Sequence, residues 1–302
     1  MLGVVAIQRQ DMNLRPRIHI LTAVLAIISA LASWWALSHL AEQIVEQWGV
    51  RYAEKQVLYD KMRTLQPIQR EVALSRQFAD SRTIRAWARS PDDTDLEQRA
   101  LAEMEKSRPE FADHSYFLAL LKSGRYYYNN AENEFAGRQL RYTLDQKKSA
   151  DRWFYDLVRQ GRSLHINVNP DDKLGVTKLW IDVLIRDGDK VLGVAGTGLD
   201  LSRFIRDVVD TPQPGITSLF VDSAGSIQLY RDQRLIDFAS ITKAAGAHNN
   251  IKLLFPIKAD QDALYSAMKE LETQTSRVIS RFVHLNGKRY LAGIAFLPEI
   301  DW

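Results

Sequence analysis

Hydrophobic and polar positions change rhythm three times along the chain. From Ile18 to Leu40 the sequence runs IHILTAVLAIISALASWWALSHL, with no Asp, Glu, Lys or Arg. Roughly 20 apolar residues span a bilayer core in a helix that satisfies its own backbone, so residues 18–40 predict a transmembrane helix. Apolar residues then recur at threes and fours, through Leu37, Ile44, Val45, Trp48, Tyr52, Val57, Leu58 and Met62, and again through Ile68, Val72, Leu74, Phe78, Ile84 and Trp87. That spacing predicts a stalk helix over 41–90. Pro67 reads as a fresh helical start, because proline is tolerated in a first turn. Ser90-Pro91-Asp92-Asp93 closes the stretch, and a short helix is expected from Asp95 to Lys106.

Strands follow. Tyr116 to Leu121 and Arg125 to Tyr128 flank Lys122-Ser123-Gly124 as a hairpin, and Lys178 to Ile185 and Lys190 to Leu199 flank Arg186-Asp187-Gly188-Asp189 as another. Pro212-Gln213-Pro214-Gly215 is the clearest break. It divides a module over 91–211 from a second over 212–302. The second module predicts strands at 216–221 and 226–230, a helix over 260–272, and a last hairpin around Asn286-Gly287, a strong turn signal. Asp187-Gly188-Asp189-Lys190-Val191-Leu192-Gly193-Val194-Ala195 resembles Asn286-Gly287-Lys288-Arg289-Tyr290-Leu291-Ala292-Gly293-Ile294-Ala295, which suggests one α+β fold used twice.

Charge orients the anchor. Arg9, Arg15 and Arg17 precede the apolar segment, whereas Glu42 and Glu46 are the first charges after it. The positive-inside rule then puts residues 1–17 in the cytoplasm and everything after His39 outside, with the lipid bilayer as a partner. A cleaved signal peptide would have a shorter apolar region and small residues at the cleavage point, where this chain has Trp34 and Trp35. The apolar stripe of the stalk predicts a homodimer. Overall the net charge is +3, from 40 Lys+Arg against 37 Asp+Glu. That near-balance offers no basic face for nucleic acid.

Cysteine is absent, which excludes disulfides, thiolate catalysis and Cys-type zinc sites. The six histidines are scattered, and no metal spacing, nucleophile elbow or phosphate loop occurs, so neither catalytic residues nor a cofactor is expected. Gly193, Gly196 and Gly198 lie inside a strand rather than in a βαβ unit, which argues against a dinucleotide site. Polar and aromatic residues do concentrate between Tyr126 and Asp200. Asp151-Arg152-Trp153-Phe154-Tyr155 opens an amphipathic helix, and Asn167-Val168-Asn169-Pro170-Asp171-Asp172 reads as a loop rich in hydrogen-bonding groups. On the following strand Trp180, Asp182 and Leu184 share one face and Leu179, Ile181 and Val183 the other. Aromatic walls with a few convergent polar groups make small-ligand sites, so Tyr126, Tyr128, Trp153, Tyr155, Asn167, Asn169, Lys178, Trp180, Asp182 and Asp200 are the candidate ligand-binding residues. The competing reading makes the tryptophans core and Asp200 the cap of a helix starting at Leu201.

The anchor, the long helix, two hairpin-bearing modules and the closing Leu297-Pro298-Glu299-Ile300-Asp301-Trp302 resemble the double Cache sensor region of bacterial transmembrane receptors, over about residues 40–302. The resemblance implies two PAS-like antiparallel-sheet modules, with a small molecule bound in the membrane-distal one, on the periplasmic side of the inner membrane. Asn167-Val168-Asn169 and Leu174-Gly175-Val176-Thr177-Lys178-Leu179-Trp180-Ile181 resemble particularly the sensors of diguanylate cyclases and SpoIIE-like phosphatases. Chemoreceptors and histidine kinases carry such regions too, and an anchored periplasmic enzyme is the reading from another class. Amino-acid-binding members use an Arg-x-Trp-Tyr element and a later Asp. Trp153 and Phe154 match the aromatic pair, and Asp200 matches the later Asp, which would hold a ligand ammonium. The arginine falls on Asp151, with Arg152 displaced by one, so an amine, or a carboxylate held by Lys178, stands beside an amino acid as the implied ligand. Phe296 to Trp302 reads as a final strand at the lip of a second membrane crossing. One N-terminal anchor gives the second module no route of its own to the cytoplasm, so continuation past Trp302 into a second membrane helix and an output domain is expected.

Overall fold

A computed structural model describes residues 14–171, 173–210, 213, 215–238 and 248–302. Most of the expected cytoplasmic tail, together with Asp172, Pro212 and Pro214 of the expected loop and break, lies outside the described residues. Helix α1 runs Leu14–Asp80. By its contacts the chain divides between Tyr52 and Ala53. The first part contains a helical stretch long and apolar enough to cross a membrane, none of it buried. The second part holds the folded body.

Pro67 does not restart the helix, because α1 continues through it to Asp80. A proline forfeits one backbone bond, but Leu65 and Ile68 on either side are fully packed and hold the register. The helical break comes instead at Ser81, whose hydroxyl accepts from the Ile84 N–H at 3.2 Å and starts α2, Arg82–Arg89. Helix α3, Thr94–Ser107, begins the same way, with the Asp93 carboxylate accepting from the Leu96 N–H.

Strands β1 (Tyr116–Leu120), β2 (Arg125–Asn129), β3 (Leu140–Thr143), β4 (Leu164–Asp171), β5 (Val176–Asp187) and β6 (Lys190–Asp200) form one antiparallel sheet in the order β3-β2-β1-β6-β5-β4. Both expected hairpins are present in it. The expected loop at Asn167-Val168-Asn169 is strand: β4 alternates Leu164, Ile166 and Val168 inward with His165, Asn167 and Asn169 on the opposite face, pairing Asn167 with Trp180. Its polar composition suits an edge, where Pro170 forfeits no ladder bond. One sheet face packs on Leu65, Ile68, Val72, Phe78 of α1, Ile84 and Trp87. The other is covered by α4, Arg152–Gln160, and the chain leading into it.

Close approach explains the glycines of β6. A Cβ on Gly196 would stand 1.8 Å from the Ile181 carbonyl oxygen, and one on Gly193 2.2 Å from that of Ala119.

After α5, Leu201–Phe204, and a π-helical turn to Val209, the chain builds a smaller region. It holds the short pair β7 (Phe220–Val221) and β8 (Ile227–Leu229), helix α6 (Lys258–Thr273) and the hairpin β9 (Val278–Leu285)–β10 (Lys288–Ala295). The Asn286-Gly287 turn has both residues at positive φ, 51° and 73°, the geometry of a tight type I′ hairpin. Leu297-Pro298-Glu299-Ile300-Asp301-Trp302 is not the expected strand. It turns back so that the Leu297 N–H donates to the Trp302 carbonyl at 2.7 Å, and Leu297, Ile300 and Trp302 join the core beneath the main sheet.

Candidate ligand-binding site

The face of the six-stranded sheet under α4 encloses a cavity of about 310 Å³. Five aromatic rings wall it: Phe117 from β1, Tyr126 from β2, Tyr142 from β3, Trp153 from α4 and Trp180 from β5. They fix one another. Tyr126 and Tyr142 stack with centroids 4.6 Å apart, and Phe117 meets Trp180 edge-on at 5.5 Å. The Trp180 indole N–H donates to the Asn169 carbonyl at 2.9 Å, which sets that ring against β4.

The polar lining comes from Asp151, Asn167, Asn169, Asp171, Lys173 and Asp182. Lys173 donates to the buried Asp151 carboxylate at 2.5 Å and lies 3.8 Å from the centre of the Tyr142 ring. Asp171 accepts from the backbone N–H groups of Lys173 and Leu174, both at 3.0 Å, and from the Tyr142 hydroxyl at 3.3 Å. Asp182 is buried and accepts from the Asn167 amide at 2.8 Å, with the His165 ring 3.7 Å away. Burial raises the Asp182 carboxyl above its ordinary range, and His165 and Asn167 pull it partly back. Burial raises Asp171 as well, opposed by its backbone donors. The Oδ1 of Asn169 is buried with no partner.

Six of the ten candidate residues therefore line the cavity: Tyr126, Trp153, Asn167, Asn169, Trp180 and Asp182. The other four do not. Lys178 is committed to Asp113 at 2.8 Å and to the Ser115 hydroxyl and Gly198 carbonyl, and its stem lies where a Cβ on Gly198 would be. Asp200 is exposed and caps α5 by accepting from the Arg203 N–H at 2.7 Å. Tyr155 donates to the Leu144 carbonyl, and Tyr128 is buried beside Phe135. Sequence reasoning missed Phe117, Tyr142, Asp151, Asp171 and Lys173. Alternation along β1 could have given Phe117, which points opposite to Tyr116 and Leu118. Lys173 and Asp151 meet across 22 positions, and no local pattern shows that.

No family model matches the chain. Among solved structures it is similar to the ligand-binding domain of the Pseudomonas fluorescens chemoreceptor CtaA in complex with L-isoleucine. The TM-score is 0.52 at 16% identity, over 82% of this chain and 86% of that one. The ligand-binding domain of the Pseudomonas aeruginosa PAO1 amino acid chemoreceptor PctB with L-Gln gives 0.51 at 12%, over 80% and 81%. The CtaA domain with L-leucine gives 0.50 at 14%, over 82% and 88%. These are double Cache sensor domains, and the chain has their α+β fold.

Proposed function

We propose that this chain is the extracytoplasmic sensing region of a membrane signalling receptor, taking a small molecule into the cavity and controlling a cytoplasmic output. The observation that carries the reading is the cavity itself. It combines an aromatic wall with convergent acceptors, as small-ligand sites do, and it sits in a fold shared with chemoreceptor ligand-binding domains. Binding rather than catalysis is favoured by the aromatic wall and by the commitment of Asp151 to Lys173 and of Asp171 to backbone N–H groups.

Residues 18–40 support a bilayer anchor, and the arginines before them support a periplasmic body on a bacterial inner membrane. The division into modules over 91–211 and 212–302 is supported by the sheets, since β1 to β6 fall in the first and β7 to β10 in the second. Homodimerisation is supported by Val45, Trp48 and Tyr52. All three are exposed on α1 at the three-and-four spacing of a heptad seam. For a cyclase or phosphatase output the support is the Asn167–Ile181 sequence resemblance alone. The chemoreceptor reading is favoured by the structural neighbours, which are chemoreceptor ligand-binding domains.

The test is a thermal-shift screen of metabolites on the full chain in detergent. A ligand at a hundredfold excess over Kd stabilises by about 2.7 kcal/mol. A hit that Trp153→Ala removes supports the site, and a hit that survives it places binding elsewhere.

A further inference from the structure

The charges lining the cavity are unequal, and the inequality selects a ligand. We propose that the ligand is an organic ammonium compound lacking a carboxylate, a primary amine, diamine or methylated amine, rather than an α-amino acid. This rests on the cavity being the sensing site.

Three carboxylates, Asp151, Asp171 and Asp182, line the cavity with one ammonium, Lys173. Lys173 is already bound to Asp151 and set against the Tyr142 ring. Lys178, on the same face of β5 as Trp180 and Asp182, has its ammonium held by Asp113 and Ser115. Among the described lining residues no cation remains to receive a ligand carboxylate. A carboxylate would instead meet the carboxylates of Asp171 and Asp182, a like-charge juxtaposition that disfavours its binding at a desolvated site.

Spare hydrogen-bonding capacity in the cavity points the same way. Among the described residues Asp182 accepts from the Asn167 amide at 2.8 Å, its other neighbour is the His165 ring at 3.7 Å, and no Lys or Arg is paired with it. Asn169 Oδ1 is a buried acceptor with no donor. An ammonium supplies both the charge and the N–H groups these two lack, and an uncompensated buried acceptor or charge is costly. The aromatic faces of Trp153, Trp180 and Tyr126 complete the enclosure, since ring faces attract cations.

The experiment is isothermal titration of the full chain in lipid nanodiscs with matched pairs: cadaverine and L-lysine, phenethylamine and L-phenylalanine, 3-methylbutylamine and L-leucine. The expected result is that an amine binds about tenfold or more tighter than its amino acid. Asp182→Asn, which keeps the shape and an acceptor for Asn167, should remove that advantage with thermal unfolding retained. Lys173→Met, which frees Asp151, should tighten amine binding. An amino acid that binds as tightly as its amine, and still weakens on Asp182→Asn, overturns the ligand class and leaves the sensing site standing. Binding that ignores both Asp182→Asn and Trp153→Ala, or no binding by any pair, overturns both.

Discussion

Lys178 and Asp113 meet at 2.8 Å with side chains only 9% and 13% exposed, joining β5 to the loop ahead of β1. The same Asp113 carboxylate accepts the Asp200 backbone N–H at 2.7 Å, so it ties two strand ends to one point. Removing one partner of a buried pair leaves an uncompensated charge. Asp113→Ala is expected to destabilise the fold by about 3–5 kcal/mol. The double variant Asp113→Asn with Lys178→Met should lose much less, and urea denaturation of the two compares them.

The glycines of β6 give a second expectation. Gly196→Ala forces a methyl onto the Ile181 carbonyl and should cost about 3 kcal/mol or more, at the upper end of overpacking. Gly188→Ala meets nothing within 4 Å, but its φ is 58°, so the strain is about 1–2 kcal/mol. Melting temperatures that rank these two the other way round would refute the close-approach account.

How much of this was readable in advance follows from the range of the forces involved. The 116–128 and 178–199 hairpins and the Asn286-Gly287 turn are local, set by alternation and turn chemistry within a few residues, and the structure has them. The two faces of β5 were legible for the same reason. Strand β4 was not, because Asn167, Asn169 and Pro170 carry loop composition, and only pairing with Trp180 and Lys178 makes them strand. Lys178 and Asp200 were placed in the site because they lie on strands that supply it. Asp113, distant in sequence, draws the Lys178 ammonium and the Asp200 backbone away from the cavity.

Asp200 and Asp182 should accordingly behave differently. Asp200→Ala loses a helix cap, worth about 1 kcal/mol, and should leave ligand affinity unchanged. Asp182→Asn should weaken binding with the fold intact. Calorimetric titration of both variants against one ligand checks the contrast, and loss of binding in Asp200→Ala alone would count against the cavity.

Stability without ligand should respond to pH through Asp182. Burial raises its carboxyl, so the folded chain binds more protons than the unfolded one between the ordinary value, about 3.9, and the raised folded value. Its contribution is therefore present at low pH and declines as pH rises through that window. Asp171 shifts in the same direction. Facing Asp182 are His165 and Asn167 of β4, with Asp151, Asp171, Lys173 and Tyr126 around the cavity. Asp182→Asn is expected to be more stable than the parent above the window and equal to it below. Denaturation midpoints from pH 3 to 8 measure the difference, and a gap that stays constant would contradict it.

The seam on α1 predicts assembly. Trp48→Glu with Tyr52→Glu puts charges into the proposed dimer contact, where like charges side by side repel. Light scattering in detergent should show a dimer for the parent and a monomer for the variant. A monomeric parent would remove the seam.

Strand β5 is a party wall between two tenants. Trp180 and Asp182 belong to the cavity, while Leu179 and Ile181, their immediate neighbours, share a buried cluster with Leu65, Ile68 and Val72 of α1. Packed layers stand roughly 10 Å apart, and a close-packed interior passes displacement on rather than absorbing it. A guest that shouldered Trp180 aside would therefore lean on the helix through a partition one residue thick.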